Sequence, residues 1–173
     1  MEHNKLEGII EAVLFALGDP VPLSKIAEIA VVDEITVKDT IDKLSERYLS
    51  EKRGIVILQL EDKYQLATNI LYADYITKTT TARIRKPLSP SALECLAIIA
   101  YRQPVTKQII EEIRGVNCDY PVNRLIEIGL VEEQGRLDIP GKPFLYVTTD
   151  EFLKCFGIST LSDLPKLEEG EKC

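Results

Sequence analysis

The chain has no tryptophan, a single methionine and one histidine, His3. Beyond residue 3 there is thus no imidazole to act as the usual general base or to orient a serine or cysteine nucleophile. Four cysteines, at positions 95, 118, 155 and 173, include no C-x-x-C pair. With so little histidine they make no zinc ligand set and read as reduced, structural thiols. No glycine-rich phosphate loop of the G-x-x-x-x-G-K-[ST] form is present. The pairs Glu111-Glu112 and Glu132-Glu133 are adjacent in sequence, so their carboxylates point in different directions and read as solvated faces. No catalytic residue, metal or cofactor is expected, and the chain reads as a non-enzyme. Long apolar runs are also missing: Ala12 to Leu17 and Leu96 to Tyr101 fall far short of the ~20 residues that cross a bilayer. Glu2 and Glu7 stand where a secretory leader would be basic, so a cytoplasmic protein with no membrane contact is expected. Positive charge is scarce as well, with 21 bases against 28 acids and a net charge of −7. That balance weighs against a protein whose affinity comes from neutralising DNA phosphates.

What is present is a patterned sequence. Length alone, 173 residues, suits two small domains of roughly 80 residues, each with a marginal core. Ile9, Ile10, Val13, Leu14 and Leu17 recur at the spacing of an amphipathic helix over Leu6 to Leu17, ended by Gly18-Asp19-Pro20. Leu23 and Ser24 open a second helix. Thr36 is the expected N-cap of a third, running to about Leu49. From Gly54 the period changes to two, and Gly54 to Leu60, a turn at Glu61-Asp62 and Lys63 to Thr68 read as a β-hairpin. Three helices followed by a hairpin is the winged-helix pattern. A further helix from Ile70 to about Thr81, with Leu71, Tyr75 and Ile76 on one face, is expected to close this domain.

The pattern then recurs. Pro90 and Ser91 are expected to cap a helix, Thr106 starts a second that ends at Arg114-Gly115, and Asp119 is the expected cap of a third that stops at Gly129. Strand-like Leu130 to Glu133, a turn at Gln134-Gly135, and Arg136 to Thr149 with a Pro140-Gly141 kink supply a second wing. Asp150 is expected to cap a short helix, with an ordered turn at Leu161 to Pro165. The expected organisation is an α+β, mostly helical pair of tandem winged-helix domains: 1–82, a linker at 83–90, 91–165, and a tail at 166–173.

Two classes of function compete for this fold. A helix–turn–helix that reads DNA presents Arg, Lys, Asn or Gln from its second helix. Here Lys38, Lys43 and Arg47 are matched by Asp39, Asp42 and Glu46, and Asn123 and Arg124 by Asp119 and Glu127. Residues 1–82 hold 9 bases and 14 acids, and 91–164 hold 7 and 11; only the linker, with Arg83, Arg85 and Lys86, is basic and offers weak DNA contact. A DNA-binding regulator is therefore the alternative to a protein-binding adaptor. For the adaptor, the apolar set Leu6, Ile9, Ile10, Val13, Leu14 and Leu17, joined by Ala12, Phe15 and Ala16, exceeds what one narrow stripe needs and suggests a dimer interface.

The stretch around Ala92 to Gly115, SALECLAIIAYRQPVTKQIIEEIRGVNCD, resembles the signature of the segregation and condensation protein B (ScpB) family. The likeness continues through Gly135-Arg136, Pro140-Gly141-Lys142-Pro143, Leu145-Tyr146, Phe152-Leu153 and Leu161-x-x-Leu164-Pro165, and more loosely through LEGIIEAVLFALGDPVPLSKIAEI, covering about residues 5 to 165. It departs from the family pattern at Tyr120-Pro121, where smaller residues are expected. The resemblance implies a homodimer of tandem winged-helix units, paired mainly through the N-terminal domain. It also implies binding of the kleisin ScpA by both domains and, through ScpA, a link to the Smc ATPase in nucleoid-associated chromosome condensation and segregation. Arg102, Arg114 and Arg136 are the expected partner contacts, because guanidinium groups at turns pair with carboxylates or helix ends.

Overall fold

A computed structural model describes residues 3–79 and 87–166. The chain divides into two compact units, 1–84 and 85–173.

In the first unit, α1 (His3–Leu17) leads into β1 (Val21–Pro22), α2 (Leu23–Ala30), α3 (Glu34–Ser50), β2 (Ile55–Leu60) and β3 (Lys63–Thr68). Leu6, Ile10 and Leu14 recur every four residues and form one buried stripe on α1. They pack with Ile26, Val37, Ile41, Leu44 and Tyr64 in a single core. Gly18 ends α1 in the left-handed region, φ 71°, donating to the Leu14 carbonyl at 3.2 Å. Asp33, rather than Thr36, caps α3: its carboxylate accepts the Thr36 amide at 2.8 Å and the Thr36 hydroxyl at 2.7 Å. A carboxylate reaches both donors of the first turn, so it takes the cap position and Thr36 becomes its ligand. The sheet order is β1-β3-β2, all antiparallel, with Val21 opposite Tyr64 and Ile57 opposite Leu66. Two residues at the end of the Pro20-Val21 turn thus extend the wing to three strands, a pairing too short to leave a period in the sequence. The expected helix from Ile70 is instead a 3-10 turn, Ile70–Tyr72, followed by α4 (Ala73–Thr79). The Asn69 side chain accepts the Leu71 amide at 3.0 Å and donates to the Arg53 carbonyl, which favours a tight turn. Leu71 and Tyr75 are exposed rather than packed inward, and residues 80 and 81 of that segment lie outside the described residues.

The second unit repeats this plan: α5 (Pro90–Arg102), β4 (Val105–Thr106), α6 (Lys107–Arg114), α7 (Asp119–Glu127), β5 (Val131–Arg136), β6 (Phe144–Thr148) and α8 (Asp150–Phe156), then a 3-10 turn, Leu161–Asp163. Its sheet, β4-β6-β5, mirrors the first. Ser89, rather than the expected Pro90 and Ser91, caps α5: its hydroxyl accepts the Ala92 amide, and Pro90, which has no N–H to cap, sits in the first turn. Three further expectations shift by a residue or more. Cys118 precedes α7 without a side-chain cap bond, because the Asp119 carboxylate is engaged by Lys107 and Asn117. Gln134-Gly135 is no turn: β5 runs through it to Arg136 with an irregular register, and the wing reverses over 137–143, where Gly141 has φ 89°. Thr149, not Asp150, caps α8. Three helices with a three-stranded antiparallel sheet, twice over, is the winged-helix architecture.

Candidate partner-binding surfaces

On α1 the expected interface set divides in two. Leu6, Ile10 and Leu14 are 3% exposed or less and belong to the core of their own unit. They are thereby removed as interface residues, because a side chain enclosed by its own fold has no surface left to give. Ile9 and Val13 are half-buried and Leu17 is 52% exposed. The outward side carries Gly8, Ala12, Phe15 and Ala16, with Phe15 82% exposed. These recur at i, i+4, i+7 and i+8, so they share one face, and none is charged. The flanking acids turn the other way. Glu7 accepts from Arg47 of α3 at 2.8 Å, and Glu11 accepts a hydrogen bond from the Tyr48 hydroxyl. Burial, together with the Glu11 carboxylate, pushes the Tyr48 phenol up to about 12. The two pairs bind α1 to α3 and leave the outer face apolar from Gly8 to Ala16, with exposed Lys5 one turn before it.

The three candidate arginines have three different roles. Arg114, its side chain 11% exposed, bonds Glu94 of α5 at 2.7 and 3.1 Å and reaches the sulfurs of Cys95 and Cys118 at 3.4 Å each. These contacts, first of all the one to Cys118, raise its pKa further above the ordinary guanidinium value. It ties α6 to α5 and to the start of α7, which corrects the expectation of a partner contact. Arg102, by contrast, is exposed at the end of α5. Arg136 is exposed on the wing, its guanidinium 3.7 Å above the Phe144 ring and donating to the Lys142 carbonyl at 3.1 Å. It edges a cleft of about 310 Å³ between α6 and the wing, lined also by Lys107, Lys142, Phe144 and Tyr146. Lys107 is held by Asp119, whose carboxylate raises the lysine pKa; Arg136 and Lys142 bring positive charge to the cleft, and Glu111, which accepts the Cys118 amide at 2.9 Å, brings a carboxylate. The sequence reading missed Phe144, Tyr146 and Lys142 as one site. The i, i+2 spacing of the two aromatics on a strand was the available signal.

Arg83, Arg85 and Lys86 lie outside the described residues. Among the described residues, no cluster of three or more His, Cys, Asp or Glu side chains is placed to hold a metal ion, and no helix is long and apolar enough to cross a membrane.

Against known proteins, the family model of the segregation and condensation complex subunit ScpB matches residues 8–167. The chain belongs to the ScpB family. It is 46% identical to segregation and condensation protein B of Ruminiclostridium cellulolyticum, over 97% of this chain and 88% of that one. It is 49% identical to its counterpart in Caldanaerobacter subterraneus, over 94% and 96%. Among solved structures, a dimer of the ScpB N-terminal domain complexed with ScpA peptide aligns with 44% of this chain and 96% of its own, at 36% identity and a TM-score of 0.43. The family is one of segregation and condensation complex subunits. The ScpB-like stretch YRQP has a structural explanation in this chain. The Gln103 amide accepts the Thr148 backbone N–H at 2.7 Å and donates to the Thr148 hydroxyl at 3.0 Å, joining the end of α5 to strand β6. The Tyr101 hydroxyl donates to the Pro165 carbonyl at 2.7 Å, pinning the end of the unit.

Proposed function

We propose that the chain is a non-catalytic adaptor that pairs with a second copy through the N-terminal winged helix and binds the kleisin ScpA, which connects it to the Smc ATPase on the nucleoid in the cytoplasm. The observation that carries this reading is the outward face of α1, where the uncharged residues Gly8, Ala12, Phe15 and Ala16 lie opposite the buried stripe, with exposed Lys5 at the N-terminal end of the same face. A two-fold axis beside this face brings the same residues of both protomers together, the self-complementary arrangement of most homodimers. Half-buried Ile9 and Val13 and exposed Leu17 border it. Winged-helix domains 1–82 and 91–165 act as two clamps on the kleisin, with Arg102 and Arg136 supplying guanidinium groups to its carboxylates. The alternative, a DNA-binding regulator, gains nothing from the geometry: α3 carries three bases and four acids, and its first turn is anionic. DNA contact is confined to Arg83, Arg85 and Lys86, outside the described residues. The test is multi-angle light scattering of the full chain at micromolar concentration, followed by co-purification with ScpA in mild salt. A mass of twice 19.5 kDa and a stable complex are expected. A strict monomer that leaves ScpA unbound would overturn the proposal.

A further inference from the structure

The two units superpose in sequence with a constant offset of 84 from the short strand to the end of the second helix. β1 (Val21–Pro22) corresponds to β4 (Val105–Thr106), and α2 (Leu23–Ala30) to α6 (Lys107–Arg114). The residue that ends the second helix is then Gly115 in one unit, at φ 70°, and Val31 in the other, at φ 56°. Glycine takes the left-handed conformation without steric cost, whereas a β-branched side chain there is strained. Nothing inside the unit compensates, because Val31 is 83% exposed. Ile35, in the first turn of α3, is 75% exposed, and Ile29 is 43% exposed. Three aliphatic side chains thus stand around the helix–turn–helix corner, where a DNA-reading protein would present its base contacts.

Carboxylates border Val31, with Lys25 one turn from Glu28 and exposed Lys38 one turn from Glu34. A shallow depression of about 580 Å³ at this corner is lined by Ser24, Ala27, Glu28, Val31, Val32, Asp33 and Glu34, with no base among them. Glu28 is shared with Lys25 at 2.9 Å. The Asp33 carboxylate is held below its usual pKa by the Thr36 hydroxyl and amide, so it stays charged. An apolar knob in an anionic rim repels nucleic acid. It also repels its own copy, since a self-paired contact would bring six such carboxylates together.

We propose that the corner between α2 and α3 docks a cationic, leucine-like segment of a partner protein, its aliphatic residue seated on Val31 and Ile35 and its lysines or arginines facing Glu28, Asp33 and Glu34. The proposal rests on the reading of the chain as a partner-binding subunit, and it adds a second surface on the N-terminal unit, distinct from the α1 face. The strain at Val31 is retained because a partner covers the side chain.

The test titrates the 15N-labelled full chain with the synthetic peptide acetyl-KKLLKK-amide, using acetyl-EELLEE-amide as control, and follows backbone amides by NMR. The cationic peptide is expected to shift the amides of residues 29–35, with an affinity that weakens at least five-fold between 50 and 400 mM salt. The control is expected to leave them unmoved. A Val31→Asn/Ile35→Ser variant is expected to bind at least five-fold more weakly while melting no lower than the parent, since asparagine tolerates the left-handed region. Shifts centred on another surface, equal shifts with the anionic peptide, or undiminished binding by the variant would overturn the proposal. If the peptide seats at the corner while ScpA fails to co-purify, the surface stands and the kleisin assignment falls.

Discussion

Replacing Arg114 by alanine distinguishes a structural arginine from a partner contact. Three contributions are lost. The Glu94 carboxylate is 61% exposed, so solvent screens the ion pair and it contributes about 0.5 kcal/mol. The contacts to Cys95 and Cys118, each 3.4 Å, lie at the weak end of net hydrogen-bond values and together add about 1 kcal/mol. Burial pushes the Cys95 thiol up to about 11, so it meets the guanidinium as a neutral group at physiological pH. The two methylenes beyond Cβ, in a side chain only 11% exposed, contribute roughly 1.5 kcal/mol. The sum, about 3 kcal/mol, corresponds to a fall of roughly 12 °C or more in the melting of a domain this size. Without tryptophan the chain has no strong intrinsic fluorophore, so differential scanning calorimetry is the assay. Arg114→Met, which keeps the methylene stem, is expected to lose about half as much. If Arg114→Ala melts within about 3 °C of the parent yet loses ScpA, the arginine is a partner contact and the structural reading is refuted.

Three further outcomes follow from the same geometry. Phe15→Glu removes an exposed ring from each protomer, about 2 kcal/mol of burial per copy, and places two carboxylates in one interface; sedimentation velocity is expected to show at least a thousand-fold weaker dimer with an unchanged melting temperature. Gln103→Ala leaves the Thr148 amide without the acceptor it meets at 2.7 Å and is expected to cost about 1–3 kcal/mol in calorimetry, with Gln103→Glu milder because it keeps the acceptor oxygen. Tyr48 is more readily kept neutral in the fold than in the unfolded chain, so its share of stability is intact below pH 10 and lost as pH rises through about 12. Thermal melts from pH 8 to 12 check this, with Tyr48→Phe expected to show a shallower alkaline fall. Tyr64 contributes in the same direction, its pKa raised mainly by burial.

Much of this architecture was legible because its signals are local. The period of α1, the change to period two at Gly54, and the helix stops at Gly18, Gly115 and Gly129 each lie within a few residues of the element they define. Caps were less so: Thr36 and Asp33 are both competent, and only the placed backbone decides which one faces the free amides. The short strands β1 and β4 were invisible, because two residues become a strand only when a distant hairpin offers its edge. The same holds for the sites. Arg114 and Arg136 are alike as sequence features, each an arginine beside a glycine, yet one is enclosed among Glu94, Cys95 and Cys118 and the other lies over Phe144 at the surface.

Composition, periodicity and charge by themselves determined that this is a net-acidic chain with the tandem winged-helix pattern and a single histidine, because those properties are sums over residue types and near neighbours. Which side of α1 is core and which is free, and which arginine is structural, were decided only by the tertiary structure. Each depends on what a residue meets from elsewhere in the chain, and no local pattern records that.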